Sequence, residues 1–260
     1  MRIADIIEQI EQFAPLSLQE DFDNSGLQVG DTEQVATAAL LTLDITEAVV
    51  DEAIEKNCNL IISHHPLLFR GLKRVSNSSW IERIVVRAVK NNLVLYAAHT
   101  NLDKCLGGVN YEMARLIGLE NVRVLMPESG DSQTGLGCVG ELSAQEDCAE
   151  FLARLKRVFG VQCLRHSPLL QTPVRRVALC SGSGSEFIDE AKRAKADVYV
   201  TADVSYHKFF DADNEIVIAD IGHFESEQII KNLFYARLSK IFPNFAVWKA
   251  ESDLNVVKYM

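Results

Sequence analysis

Apolar residues at Ile3, Ile6, Ile7, Ile10 and Phe13 recur at helical spacing, so the chain opens on an amphipathic helix. Val35–Leu43 is a continuous apolar run that stops at Asp44, the pattern of a strand buried on both faces. Thr46 stands where an N-cap belongs, ahead of Ala48, Val49, Ala53 and Ile54. Leu60–Ser63 is another short apolar strand; Trp80–Lys90 reads as helix, Leu93–Ala98 as strand and Tyr111–Ile117 as helix. Strands alternating with helices imply βαβ units and a largely parallel sheet.

A polar stretch with one proline and two glycines, Met126–Leu136, interrupts this rhythm and reads as a linker. The alternation then restarts with a strand at Leu136–Leu142, a helix at Ala144–Phe159 and a strand at Cys163–His166. It continues with strand Val174–Cys180, helix Ser185–Ala196, strand Val198–Thr201 and a short helix at Tyr206–Phe210. Strand Ile216–Ala219, a long helix Glu225–Ile241 and strand Phe245–Ala250 complete it. The expectation is an α/β protein of two α/β lobes with mostly parallel sheets. The first lobe is residues 1–125, the linker 126–135 and the second lobe 136–260, with part of the C-terminal segment packing back on the first.

Composition narrows the functions. Hydrophobic residues make up 48% and charged residues 24%, ordinary for a globular protein, so a collagen-like or disordered chain is excluded. A chain of 260 residues buries enough surface to fold without a structural metal, so a metal here is functional rather than a staple. The net charge of −10 argues against a broad nucleic-acid footprint. The longest stretch without a formally charged residue, 57–69, is too short to span a bilayer. Asp5, Glu8 and Glu11 interrupt the opening helix as an export segment, and the six cysteines (Cys58, Cys105, Cys138, Cys148, Cys163, Cys180) contain no C-x-x-C pair. Reduced, buried thiols and a cytoplasmic location are the expectation.

In open α/β sheets, ligands collect beyond the carboxyl ends of the strands. Four strands here run into chemistry. Leu60–Ser63 is followed by His64, His65 and Pro66, and Leu93–Ala98 by His99 and then Asp103. Val198–Thr201 is followed by Asp203 and His207, and Ile216–Ala219 by Asp220, Gly222, His223 and Glu227. His223 and Glu227 are four apart on one helical face, an imidazole and a carboxylate suited to a divalent ion; the plain reading is an acidic first turn. His64 and His65 reach one site only if the strand ends there and the chain bends, which Pro66 favours. Otherwise one is a buried hydrogen-bonded histidine and the other a surface one. Asp103 alone is an ordinary loop or cap residue. Together, five such groups at strand ends make room for two ions roughly 3.5–4 Å apart, which would lower the pKa of a shared water.

Other features carry less. Ser181–Ser185 (SGSGS) has the glycine content of a phosphate cradle but not its lysine, so a β–α turn is the plainer reading. Arg175, Arg176, Lys192, Arg193 and Lys195 read as a solvated face. His166 has no evident partner, and His207 reads as a residue that orients a ligand or as a structural histidine.

Five blocks spread over the chain, FDNSGLQVG at 22–30, LTLDIT at 41–46, IISHHPLLF at 61–69, AAHTNLDKCLGGVN at 97–110 and DIGHFESE at 220–227, resemble the NGG-interacting-factor-three-like family. Its bacterial members are labelled GTP cyclohydrolase 1 type 2 homologues. The resemblance implies two similar lobes with a two-metal site in the cleft between them, its ligands falling on His64, His65, Asp103, His223 and Glu227. It further implies a toroidal homohexamer. The short 126–135 join marks the compact form, without an inserted domain. Phe22 stands where the family often has Trp, and Ala202 where it often has Gly.

The leading functional reading is a dinuclear metal-dependent hydrolase acting on a small nucleotide-like substrate. Zinc, iron or manganese would suit the donors. Beyond a metal-activated water, His99 is the one catalytic candidate the sequence offers. The alternative is a ring-shaped regulatory module that binds nucleic acid or protein without catalysis, against which the charge of −10 counts where DNA is concerned.

Overall fold

The computed structural model describes residues 1–260. The chain forms two compact units. The first comprises Met1–Leu102 and Ile230–Val256, the second Asp103–Ile229 and Val257–Met260.

The first unit is built on a five-stranded sheet in the order β1 (Gly26–Val29), β4 (Val94–Ala97), β3 (Leu60–Ser63), β2 (Ala38–Thr42), β11 (Ala246–Lys249). All neighbours are parallel except β1, which runs antiparallel to β4. Helices α1 (Ile3–Phe13), α2 (Glu47–Glu55), α3 (Trp80–Lys90) and α9 (Ile230–Ile241) belong to the same unit. The Thr46 hydroxyl caps α2 by accepting from the Val49 N–H at 3.2 Å, as its position implies. β2, β3 and β4 are buried throughout, which explains their unbroken apolar runs. One core joins Leu40, Ile61 and Leu95 from these strands to Val49 and Ile84 from α2 and α3.

Register decides what this sheet presents. Thr42 pairs with Ser63, and Ser63 with Ala97. Three parallel strands therefore end in one row, and the residues that follow, Leu43–Asp44, His64–His65 and Ala98–His99, leave the sheet at one edge.

The second unit carries a six-stranded sheet in the order β5 (Leu119–Glu128), β6 (Asp131–Glu146), β8 (Val174–Ser183), β9 (Val198–Ala202), β10 (Val217–Asp220), β7 (Arg165–His166). Its helices are α5 (Val109–Ile117), α6 (Cys148–Phe159), α7 (Ile188–Arg193) and α8 (His223–Glu227). Only β8–β9 and β9–β10 are parallel; β5–β6, β6–β8 and β7–β10 are antiparallel. This sheet is thus mixed rather than mostly parallel, because a long hairpin replaces a crossover on one side. That hairpin occupies the expected linker: residues 126–135 close β5, turn at Ser129–Gly130 and open β6, with Glu128 opposite Asp131. Pro127 is compatible with a strand here because β5 lies at the sheet edge.

Helix boundaries also differ from the periodicity, and the helix expected over 185–196 is α-helical only at Ile188–Arg193. Residues 144–146 continue β6, and α6 starts only after Asp147, whose carboxylate accepts from Ala149 and Glu150 N–H groups. The long helix expected over 225–241 is two helices, α8 and α9, broken at Gln228–Ile229 where the chain passes from the second unit to the first. Five cysteines are buried as expected; Cys163 is exposed. No helix is long and apolar enough to cross a membrane.

The returning C-terminal segment is clamped at a corner. The Glu52 carboxylate accepts from Glu251 N–H (3.0 Å), Ser252 N–H (2.8 Å) and the Ser252 hydroxyl (2.5 Å). Burial alone would raise its pKa. These bonds, with Lys56 at 2.9 Å, outweigh burial and bring it to about 2 against an ordinary 4.5. A carboxylate depressed in the folded state contributes stability above its unfolded pKa and loses it as pH falls from about 4.5 towards 2. Allowing for solvent at its edge, the contribution is about 2 kcal/mol. Glu52→Gln should therefore lower urea stability at pH 7 by about that amount, while variant and wild type converge near pH 2.5. Equal stability at pH 7 would show that the clamp is idle.

Candidate metal centre

In the first unit, His64 and His65 leave the end of β3 with their N–H groups bonded to Thr42 and Leu43 carbonyls, at 3.2 and 3.0 Å. The chain bends at Pro66, so adjacent residues that would face opposite ways in a strand converge. Their ring centroids are 5.1 Å apart, and the ring of His99 lies 5.3 Å from His64 and 5.5 Å from His65. One nitrogen from each of the three lies within 4.8 Å of the others, a group able to hold a metal ion.

Each ring is fixed through the nitrogen on the other side. His64 Nδ1 donates to the Ala98 carbonyl at 2.8 Å, His65 Nδ1 to Asp44 Oδ1 at 2.8 Å, and His99 Nδ1 to Asp23 Oδ1 at 2.8 Å. A carbonyl oxygen can only accept, so His64 must carry its proton on Nδ1, which leaves Nε2 as the donor atom for a ligand when the ring is neutral. Asp23 is itself pinned. Burial would raise its pKa, but bonds from His99 and Thr100 outweigh burial and hold the carboxyl well below the usual range. The β2 end that carries Asp44 is steadied by buried Asp253, which accepts the Leu43 N–H at 2.8 Å and pairs with Lys231 at 2.8 Å.

In the second unit, β9 and β10 are in register, Thr201 opposite Asp220, and their continuations carry Asp203 and His223. His223 Nδ1 lies 2.7 Å from Asp203 Oδ2, and its Nε2 lies 3.0 Å from Glu227 Oε2. His223 and Glu227 belong to a His/Glu group able to hold a metal ion. Burial would lower the His223 pKa, but the two carboxylates outweigh it and raise it to about 11. The spot therefore favours one added positive charge. Asp203 in turn is held below its usual range, chiefly by its bond with His223.

Asp103 lies on the short helix α4 (Thr100–Lys104) rather than in a loop. Its Oδ1 accepts from the Ser181 hydroxyl at 3.2 Å. The next residue, Gly182, has φ +58°, and a Cβ there would lie 2.2 Å from Glu227 Oε1 and 3.4 Å from His223 Cε1. The end of β8 thus touches Asp103 on one side and Glu227 on the other. Asp220 organises the neighbouring loops: Oδ2 accepts the Val204 N–H at 2.9 Å and pairs with Arg165, and Oδ1 accepts the Gly222 N–H at 3.0 Å. Those bonds set the residues beside Asp203 and His223.

The SGSGS loop has its amides committed: Ser181 N–H to Asn110 Oδ1 (2.8 Å), Gly182 N–H to Ser226 Oγ (3.0 Å) and Gly184 N–H to Thr201 Oγ1 (3.1 Å). It is a β–α turn, not a phosphate cradle. Arg176, Lys192 and Arg193 pair with Glu141, Glu215 and Glu190. His166 donates Nδ1 to the Ser167 carbonyl at 2.7 Å and lines a cavity of about 540 Å³ with Arg165, Tyr206, Phe209 and Phe210. His207 stacks on Phe210 at 6.3 Å. The residue that orients His223 is Asp203, not His207.

Asp23, Asp44 and Asp203 thus anchor the histidine rings, a role that the reading of ligand types did not assign them. The available signal was positional. Asp44 and Asp203 each sit one or two residues beyond a buried strand, and Asp23 lies in the FDNSG block.

Comparison with known proteins places the chain in a family. A Clostridium perfringens protein named GTP cyclohydrolase 1 type 2 homolog is 39% identical over 228 residues, covering 87% of each chain. One of the same name from Clostridium acetobutylicum is 37% identical, covering 100% of this chain and 99% of its own. The crystal structure of a Bacillus cereus protein related to NIF3 superposes with a TM-score of 0.91 at 25% identity, covering 100% of this chain and 99% of that one. The family model described as Duf34/NIF3 (NGG1p interacting factor 3) matches residues 1–255, and the chain belongs to that family.

Proposed function

We propose that His64, His65, Asp103, His223 and Glu227 hold a pair of divalent ions, zinc, iron or manganese, and that the chain is a metal-dependent hydrolase of a small nucleotide-like substrate. The observation that carries this reading is that anchored histidines also converge: the nitrogens of His64, His65 and His99 lie within 4.8 Å of one another, and His223 lies 3.0 Å from Glu227. Four rings (His64, His65, His99, His223) each commit Nδ1 to a carbonyl or carboxylate oxygen within 2.8 Å. His166, outside the site, is anchored in the same way, so anchoring orients the rings and convergence marks the ligands. The cradle at Gly182, which fits only if Glu227 keeps its place, supports the same assignment.

Two divalent ions would supply hydroxide at neutral pH and a second positive charge against a developing oxyanion. The chain's own residues do the rest. Asp44 and Asp203 fix the His65 and His223 rings, and the buried Glu227 offers its carboxylate beside His223. His99, held by Asp23, is the side chain we assign to proton transfer at Nε2.

The relatives' names supply the most concrete substrate. Metal-loaded protein incubated with GTP should release formate and form a pterin triphosphate. Absence of turnover would remove GTP as substrate and leave the metal centre standing. A cytoplasmic homohexamer is part of the same reading; light scattering of the purified chain measures its assembly directly.

A further inference from the structure

Directly after Phe69 the chain carries three cations within five residues. The net charge is −10, and cations elsewhere are largely paired: Arg2 with Asp5, Arg83 with Glu47, Arg115 with Glu112, Arg193 with Glu190. Other cations, among them Lys156, Arg157 and Lys195, are unpaired too, but Arg70, Lys73 and Arg74 are clustered. They fall in one exposed segment that starts directly after Phe69, and none makes a hydrogen bond or ion pair. The segment is not loose, because Leu72 between them packs against the core of the first sheet. Three unpaired cations on an acidic chain make a local positive field that attracts an anion.

Phe69, which directly precedes these cations in the chain, pairs with a second exposed ring. Phe22 is 66% exposed and Phe69 43% exposed, which is costly for large apolar groups unless something covers them. Their centroids are 6.3 Å apart, and Phe69 meets the edge of His99 at 6.2 Å. Two bonds lock the segments that carry them: Asn24 Nδ2 donates to the Leu68 carbonyl at 2.7 Å, and the Leu68 N–H to Gln28 Oε1 at 3.1 Å. Phe22 also immediately precedes Asp23, the anchor of His99.

We propose that Phe22 and Phe69 stack the planar base of the substrate while Arg70, Lys73 and Arg74 hold its phosphates, so that this site takes a free nucleoside polyphosphate. Aromatic faces accept any base by stacking, and guanidinium groups match phosphate oxygens. The catalytic meaning of this placement rests on the hydrolase reading above; the binding itself does not.

The test uses calorimetry on the metal-loaded full chain with GTP, guanosine and inorganic tripolyphosphate, with metal content measured on every sample. GTP should bind more tightly than either part. The triple variant Arg70→Ala/Lys73→Ala/Arg74→Ala should lose at least tenfold in GTP affinity and most of its salt dependence, with guanosine unaffected. Phe22→Ala/Phe69→Ala should lose at least tenfold for GTP and guanosine and leave tripolyphosphate unchanged. All five positions are exposed or partly so, and circular dichroism should show both variants folded. GTP affinity indifferent to both variants, no GTP binding by the folded wild type, or displacement of GTP by a single-stranded oligonucleotide at lower concentration would each overturn the proposal. A wild type that binds GTP in this way but holds no metal would sink the hydrolase reading and leave this one intact.

Discussion

Gly182→Ala should weaken both the fold and the metal site. At φ +58° an alanine costs about 1–2 kcal/mol relative to glycine. Its Cβ would also fall 2.2 Å from Glu227 Oε1, far inside contact distance. Glu227 has little room to retreat: its side chain is 4% exposed and lies 3.0 Å from His223. The carboxylate must therefore rotate away from His223, and a ligand displaced by even 1 Å loses most of its affinity. The expected result is a stability loss of about 2 kcal/mol and at least a tenfold loss in affinity for divalent metal. Thermal melts of metal-free protein and metal titration read the two effects separately. A variant that melts and titrates like wild type would show that Glu227 is not held against the end of β8.

Asp203→Asn should cut metal affinity by about 10- to 100-fold with the fold unharmed. Asp203 sits at φ +54°, a conformation asparagine tolerates, so the substitution tests charge rather than backbone. Asparagine keeps an acceptor 2.7 Å from His223 Nδ1 but removes one of the two carboxylates that flank the ring. Asp203→Ala should lose more, because it removes the acceptor too. Equilibrium dialysis with zinc or manganese measures both. If Asn and Ala titrate like wild type, Asp203 does not orient the ring.

Much of the first unit was legible because its central strands β2, β3 and β4 are short, fully buried and mutually parallel, so Leu60–Ser63 reads off as a clean apolar run ending at His64. The same is true of Thr46, whose capping role needs only local sequence. Pairing direction is not local. Nothing in the periodicity of β5 told that it pairs antiparallel to β6, since its burial alternates irregularly around a bulge between Glu120 and Arg123. Proline and glycine at 127, 130 and 135 therefore looked like a linker when they close a hairpin at a sheet edge. Likewise, helical spacing runs straight through 228–229, and only the passage of the chain between units breaks it. For the candidate site, the ligand types stood out by themselves, but their anchors did not. Asp23 and His99 are 76 residues apart in sequence, and only the row of strand ends set by register brings such partners to one edge.

The central claim is that the anchored histidines exist to hold metal. Elemental analysis by mass spectrometry of the wild type, His64→Ala and Glu227→Ala, each checked for folding by circular dichroism, tests it most directly. The account predicts about two equivalents of divalent metal per wild-type chain and the loss of at least one in each folded variant. A wild type that stays metal-free after incubation with zinc, iron and manganese, or variants that retain full occupancy, would contradict it.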